Sequence, residues 1–129
     1  MTNRTFVTTG TTWEDIAGYA RAVRVGQHIA VAGTTAVDAD GTLVGGSDPG
    51  AQARFIFDKI EKALQQLGGE MRHVIRTRMY VSDARHWEPV VRAHGERFKH
   101  IKPVATLVEA KLIGPEYLVE IEVDAIVND

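Results

Sequence analysis

Residues Val119–Val127 constrain the fold more than any other segment. Val119, Ile121, Val123, Ala125 and Val127 alternate with Glu120, Glu122 and Asp124. Side chains on a strand point to opposite faces with period two, so this is a strand with one apolar and one acidic face. The apolar face needs a core. The acidic face sets a second condition, because three carboxylates in a row repel each other and require cations, water or a ligand opposite them. The stretch Lys102–Val127 reads as two strands joined by a Gly114-Pro115 turn.

The remaining elements follow from local pattern. Ala22–Val25 and His28–Gly33 are short strands separated by Gly26-Gln27, the spacing of a two-residue hairpin. Asp38–Gly41 is a turn and Gly45–Ser47 a loop. A helix then begins, with Ser47 or Asp48 as its cap and Pro49 in its first turn. Ile56, Ile60, Leu64 and Leu67 form its apolar stripe, and Gly68-Gly69 end it. His73–Val81 is a strand with Ile75, Thr77, Met79 and Val81 on one face and Arg76, Arg78 and Tyr80 on the other. Ser82-Asp83 cap a second helix running to about Lys99, with Trp87, Val90, Val91, His94 and Phe98 near one side and Pro89 in its first turns. The expected order is β-β-α-β-α-β-β, an α+β fold with helices on one face of a sheet.

At 129 residues, with no linker or repeat, residues 1–129 are expected to form a single domain. The absence of cysteine removes disulfides and thiolate chemistry. No segment approaches the roughly 20 apolar residues of a spanning helix. The opening Met1–Phe6 has no apolar run. A cytoplasmic protein with no membrane partner is therefore expected.

Few residues suit familiar chemistry. Ser47 and Ser82, the only serines, sit where caps are wanted. The histidines at 28, 73, 86, 94 and 100 show no i,i+4 pair, so no metal site is expected. Val44–Gly50 is glycine-rich and precedes a helix, but it lacks the lysine of a phosphate loop. Arg72, His73, Arg76 and Arg78 could form a basic patch for phosphates. The favoured reading is that Arg76 and Arg78 neutralise Glu120 and Glu122 across the sheet. With a net charge of -2 and no aromatic platform, nucleic acid is not an expected partner. Glu120 could bind an ammonium or position a water, or it could simply pair with an arginine. Pattern alone favours pairing.

Several segments together resemble one family. Gly18–Gly26, Ile29–Gly33, Ala51-Gln52, Val74–Asp83 and Leu118–Ile126 occur in the order and spacing of the Rid family, also called YjgF/YER057c/UK114. The resemblance runs from about Tyr19 to Val127. It implies a chorismate-mutase-like fold and a homotrimer around a central barrel, with small-molecule ligands bound in clefts between subunits. Founding members hydrolyse enamines and imines derived from amino acids and need no metal or organic cofactor. Other members are described as ribonucleases or translation inhibitors.

Carried over residue by residue, Tyr19 matches the cleft tyrosine and Gly33 the glycine ending the second strand. Glu120 matches the glutamate that orients the attacking water, so it is the catalytic candidate. Thr106 matches a small cleft residue, and Val104 stands where deaminating members carry an arginine that clamps the substrate carboxylate. Val91 stands in place of the family's asparagine and Ala32 in place of its serine. The turn at Ile113–Tyr117 is one residue longer than usual. A bidentate arginine pair in a closed site contributes a few kcal/mol, about a hundredfold in binding. The resemblance therefore implies an arginine-lacking subgroup. Its members are deaminases of another small metabolite or, alternatively, non-catalytic ligand-binding or regulatory proteins. A ribonuclease is the last of the readings.

Overall fold

The structure, a computed structural model, describes residues 3–129; Met1 and Thr2, where the N-terminal reading begins, lie outside the described residues. Six strands form one sheet: β1 (Arg4–Val7), β2 (Ala22–Val25), β3 (His28–Thr34), β4 (Val74–Val81), β5 (Val104–Glu109) and β6 (Val119–Ile126). Three helices accompany them: α1 (Thr12–Ala17), α2 (Pro49–Gln66) and α3 (Trp87–Phe98). The spatial order is β1-β2-β3-β6-β4-β5. Only β4 and β5 run parallel, joined by α3 as a crossover; the other neighbours are antiparallel. This is the expected α+β architecture.

β6 occupies the middle of the sheet, paired with β3 on one side and β4 on the other. Val119, Ile121, Val123 and Ala125 are buried, and Val127 packs at the edge of the core. Ile56, Phe57, Ile60 and Leu64 of α2, and Val90, Ala93 and Phe98 of α3, bury against the same side. The opposite side of the sheet carries the acidic row.

Caps explain where the helices begin. Asp48 accepts a hydrogen bond from the Ala51 amide at 3.1 Å, and Pro49 fills the first helical position. Asp83 caps a short 3-10 turn, Ala84–His86, that leads into α3. Its contact with Arg85 lowers its carboxyl to about 2. Ser82 instead donates its backbone amide to Leu118 O at 3.0 Å and caps nothing.

Several expectations require correction. The N-terminal β1 and α1 were not anticipated, so the order is β-α-β-β-α-β-α-β-β. Thr11 caps α1 and Gly18 closes it in the left-handed region at φ 74°. The two strands expected on either side of Gly114-Pro115 are present as β5 and β6, but β4 lies between them in the sheet. Ile75 is half-exposed rather than buried. The β4–β6 register shifts between Val74 and Arg76, so Ile75 forms a bulge and leaves the alternation. On α3 the core-facing line is Val90, Ala93 and Phe98, with His94 beside it, while Trp87 and Val91 are exposed. The apolar stripe is rotated by about one position from the expected one.

Gln52 fastens the segment that delivers β6. Its side chain is fully buried. Nε2 donates to Gly46 O at 2.7 Å and Glu116 O at 3.1 Å, and Oε1 accepts from the Leu118 amide at 3.0 Å. Gln52→Leu keeps the volume but leaves these backbone groups without partners. Chemical and thermal denaturation should show a loss of about 2–3 kcal/mol and a fall in Tm on the order of 10 °C. A change below about 0.5 kcal/mol, the range of an ordinary surface substitution, would contradict this role.

Candidate functional site

The site is built where β3 meets β6. Val31 pairs with Val123, but Thr34 pairs with Ile121. Three steps on β3 therefore match two on β6, a bulge at Ala32-Gly33. The parity of β3 changes there, since Val31 and Thr34 are both buried although they are three residues apart. Gly33 lies against the carboxylate of Glu120. A Cβ at Gly33 would overlap Glu120 Oε2, with Cδ only 3.2 Å away. Glycine is required here for close approach, not for an unusual φ.

The acidic row is not uniform. Tyr80 donates its hydroxyl to Glu122 Oε1 at 2.8 Å. Arg78 donates to Asp124 Oδ2 at 3.3 Å and lies 3.8 Å from Glu122 Oε1. His28 Nε2 stands 3.6 Å from Asp124 Oδ1. Arg78 is thus the expected counter-charge to Glu122, and it serves Asp124 rather than Glu120. Arg76 faces Asp124 in register but, among the described residues, has no carboxylate within 4.0 Å, so the expected second neutralising arginine is not one. It stands beside the Ile75 bulge and is exposed.

Glu120 lies opposite Tyr80, not opposite an arginine. Among the described residues its carboxylate has no hydrogen-bond or ion-pair partner; the donors on this face go to Glu122 and Asp124. Half-burial pushes the Glu120 carboxyl above the ordinary range. The Arg21 charge opposes that shift and the Glu122 charge adds to it. A half-buried carboxylate with free oxygens can accept a proton or a hydrogen bond from whatever enters beside it.

The other expected site residues fall into two groups. Tyr19 joins Glu120 and Gly33 through Arg21. The guanidinium lies 5.7 Å from the Tyr19 ring centroid and donates to Gly33 O at 3.1 Å. An open groove on the same side of the sheet is lined by Arg4, Phe6, Tyr19, Arg78, Glu122 and Asp124, among others. Val104 and Thr106 lie elsewhere in the chain. They pair with Arg76 and Arg78 across β4, with β4 itself between them and β6. At about 4.8 Å per strand, that puts them roughly 10 Å from the backbone of Glu120's strand. Both are exposed on the edge strand β5. One chain therefore brings Tyr19, Gly33 and Glu120 together and leaves Val104 and Thr106 apart.

Arg21 was overlooked in the sequence. It sits one residue before β2, outside the strand that the pattern picks out. Arg24 turns to the helix side and donates to Leu67 O at 2.7 Å. The alternation of β2 puts Arg24 on the face of the buried Ala22 and Arg21 on the opposite face.

Comparison with known proteins agrees with the fold. The family model described as Endoribonuclease L-PSP matches residues 9–127. A protein of Streptomyces coelicolor, the uncharacterized protein SCO2049, is 39% identical over 120 residues, covering 92% of this chain and 89% of that one. Rv2704 of Mycobacterium tuberculosis, described as a member of the highly conserved YjgF/YER057c/UK114 family, is 44% identical. Its crystal structure superimposes with a TM-score of 0.87 over 97% of this chain and 100% of that one. The Rid protein YyfA of Yersinia pestis shares the fold, with a TM-score of 0.84 at 24% identity over 97% of this chain and 100% of that one. Matched by its family model over nearly its whole length, the chain belongs to the Endoribonuclease L-PSP family, the YjgF/YER057c/UK114 or Rid proteins.

Proposed function

We propose that the chain is a deaminating hydrolase of a small imine, enamine or aminated metabolite, working as a homotrimer with its sites in clefts between subunits. One observation carries this reading. Glu120 is the single carboxylate of the acidic row without a protein partner, and it is half-buried against a glycine that makes room for it. A purely structural carboxylate in that row would be paired as Glu122 and Asp124 are.

In the proposed reaction Glu120 holds a water and takes a proton from it as the oxygen attacks the C=N carbon. A tetrahedral carbinolamine results. Glu120 returns that proton to nitrogen, then takes the carbinolamine hydroxyl proton and passes it to the amine as the C–N bond breaks, so that ammonia and a carbonyl compound leave. Water supplies the oxygen and both hydrogens, so no redox partner is needed. Tyr19 and the Gly33 backbone border the ligand on one chain. Thr106 and Val104, exposed on β5, border it from a neighbouring chain. Trimerisation is supported by apolar surface on β5, where Val104 and Val108 are both exposed.

The alternative, ligand binding without turnover, is favoured by Val104, an apolar residue where the deaminating relatives carry arginine. Turnover decides between the two. With 2-aminoacrylate and other small imines generated in situ, Glu120→Gln should lower the rate by roughly 10²–10⁴-fold. Gly33→Ala, which displaces the carboxylate, should lower it by on the order of 10²-fold while the fold is retained. The active form is the carboxylate, so the rate should rise with pH through a value above 4.5, the unshifted glutamate value, and level off beyond it. No turnover of any imine, together with a ligand that raises the melting temperature, would favour the binding protein instead. Light scattering should give three times the chain mass, and a monomer would remove the intersubunit cleft.

A further inference from the structure

Two cations reach the Gly33–Thr35 end of β3. Arg21 donates from Nη2 to Gly33 O at 3.1 Å. Lys59, on α2, donates from Nζ to Thr35 O at 3.1 Å. Both therefore converge on the Gly33–Thr35 end of β3, next to the bulge and the Glu120 carboxylate. Among the described residues neither has a carboxylate within 4.0 Å, whereas Arg54, Arg72, Arg78, Arg85, Arg92 and Arg97 all do. Burial lowers the Lys59 ammonium below its usual range, and the Arg21 charge lowers it further while Asp38 opposes.

The nearby carboxylates do not pair with either cation. Glu14 accepts hydrogen bonds from both the amide and the hydroxyl of Thr9. Asp38 accepts from the amides of Asp40 and Thr42 at 2.9 and 3.0 Å. Glu120 lies against Gly33 but, among the described residues, forms no ion pair within 4.0 Å with either cation. Arg21 has spent one donor on Gly33 O; the rest of a guanidinium's five N–H groups remain for a planar, bidentate partner.

We infer that Arg21, supported by Lys59, is the anion-recognition element of the site and takes a carboxylate on the ligand, in place of a cation at position 104. The inference rests on the proposed small-metabolite site. It also specifies the ligand's charge. Glu14 and Glu120 already act by charge on Arg21, and Asp38 on Lys59, so a second negative charge on the ligand would be repelled. A monocarboxylate fits and a phosphate dianion does not. Because Arg21 and Glu120 flank Gly33, a carboxylate on Arg21 directs the adjacent carbon toward Glu120.

The test is calorimetric titration of the full-length protein with 2-oxobutanoate, with butanone as its uncharged counterpart, and with inorganic phosphate. The wild type should bind 2-oxobutanoate, and butanone and phosphate at least roughly tenfold more weakly. Arg21→Gln should weaken 2-oxobutanoate by about tenfold or more. Arg21→Lys should fall between, since an ammonium cannot form the bidentate pair, and Lys59→Gln should cost a few-fold. If Arg21→Gln fails to fold for want of its bond to Gly33, the Arg21→Lys and Lys59→Gln series carries the test. Absence of 2-oxobutanoate binding, binding unchanged in the folded variants, or tighter binding of phosphate would each overturn the inference. Arg21-dependent binding without turnover would sustain it while the hydrolase reading falls. Imine turnover that is indifferent to Arg21 would do the reverse.

Discussion

The two-faced pairing of β6 is the constraint on which the rest of the structure depends. Its apolar residues must meet α2 and α3, and its acidic residues must face away from them. Only a central position between β3 and β4 provides both a core on one side and enough neighbours on the other. Once that position is set, β4 brings Tyr80 and Arg78 against the acidic row, and β3 brings Gly33. Gln52 holds the incoming segment by backbone bonds that have no other partners, so the helix layer also fixes where β6 begins.

The same pairing divides the three carboxylates. Antiparallel register places Arg78 opposite Glu122 and Tyr80 opposite Glu120. The side chains lean along the strand, so Arg78 reaches Asp124 and Tyr80 reaches Glu122. Both donors thus serve the Glu122–Asp124 end of the row. Glu120 is left with a glycine and with the more distant charge of Arg21. Its raised proton affinity follows mainly from burial, which a neighbouring positive charge only partly offsets. The bulge in β3 is what lets the backbone approach so closely, a use of bulges common beside functional sites.

Much of this was legible in the residues, and the failures have physical causes. The β6 alternation, the α2 stripe with its Asp48 cap and Pro49, and the Arg78 counter-charge could all be read because each is a local periodic or nearest-strand effect. β1 and α1 were missed, although Thr11-x-x-Glu14 is a recognisable helix start; four- and six-residue elements carry little periodicity. Ile75 broke the alternation because a bulge inserts one unpaired residue and period two does not foresee it. The separation of β5 from β6 is a matter of topology, which a turn signal between two strands does not encode. Arg21 and Lys59 lie 38 positions apart in sequence and meet only because α2 packs beside the end of β3. No spacing rule would have joined them.

The central claim is that Glu120 is a free, half-buried carboxylate, and a pH titration of its carboxyl carbon by NMR tests it most directly. The account predicts a midpoint above 4.5, the unshifted glutamate value, and a resonance that moves when a small carboxylate such as 2-oxobutanoate is added. A midpoint at or below that value, with no response to the anion, would mean that Glu120 is held by a cation like its neighbours, and would contradict the account.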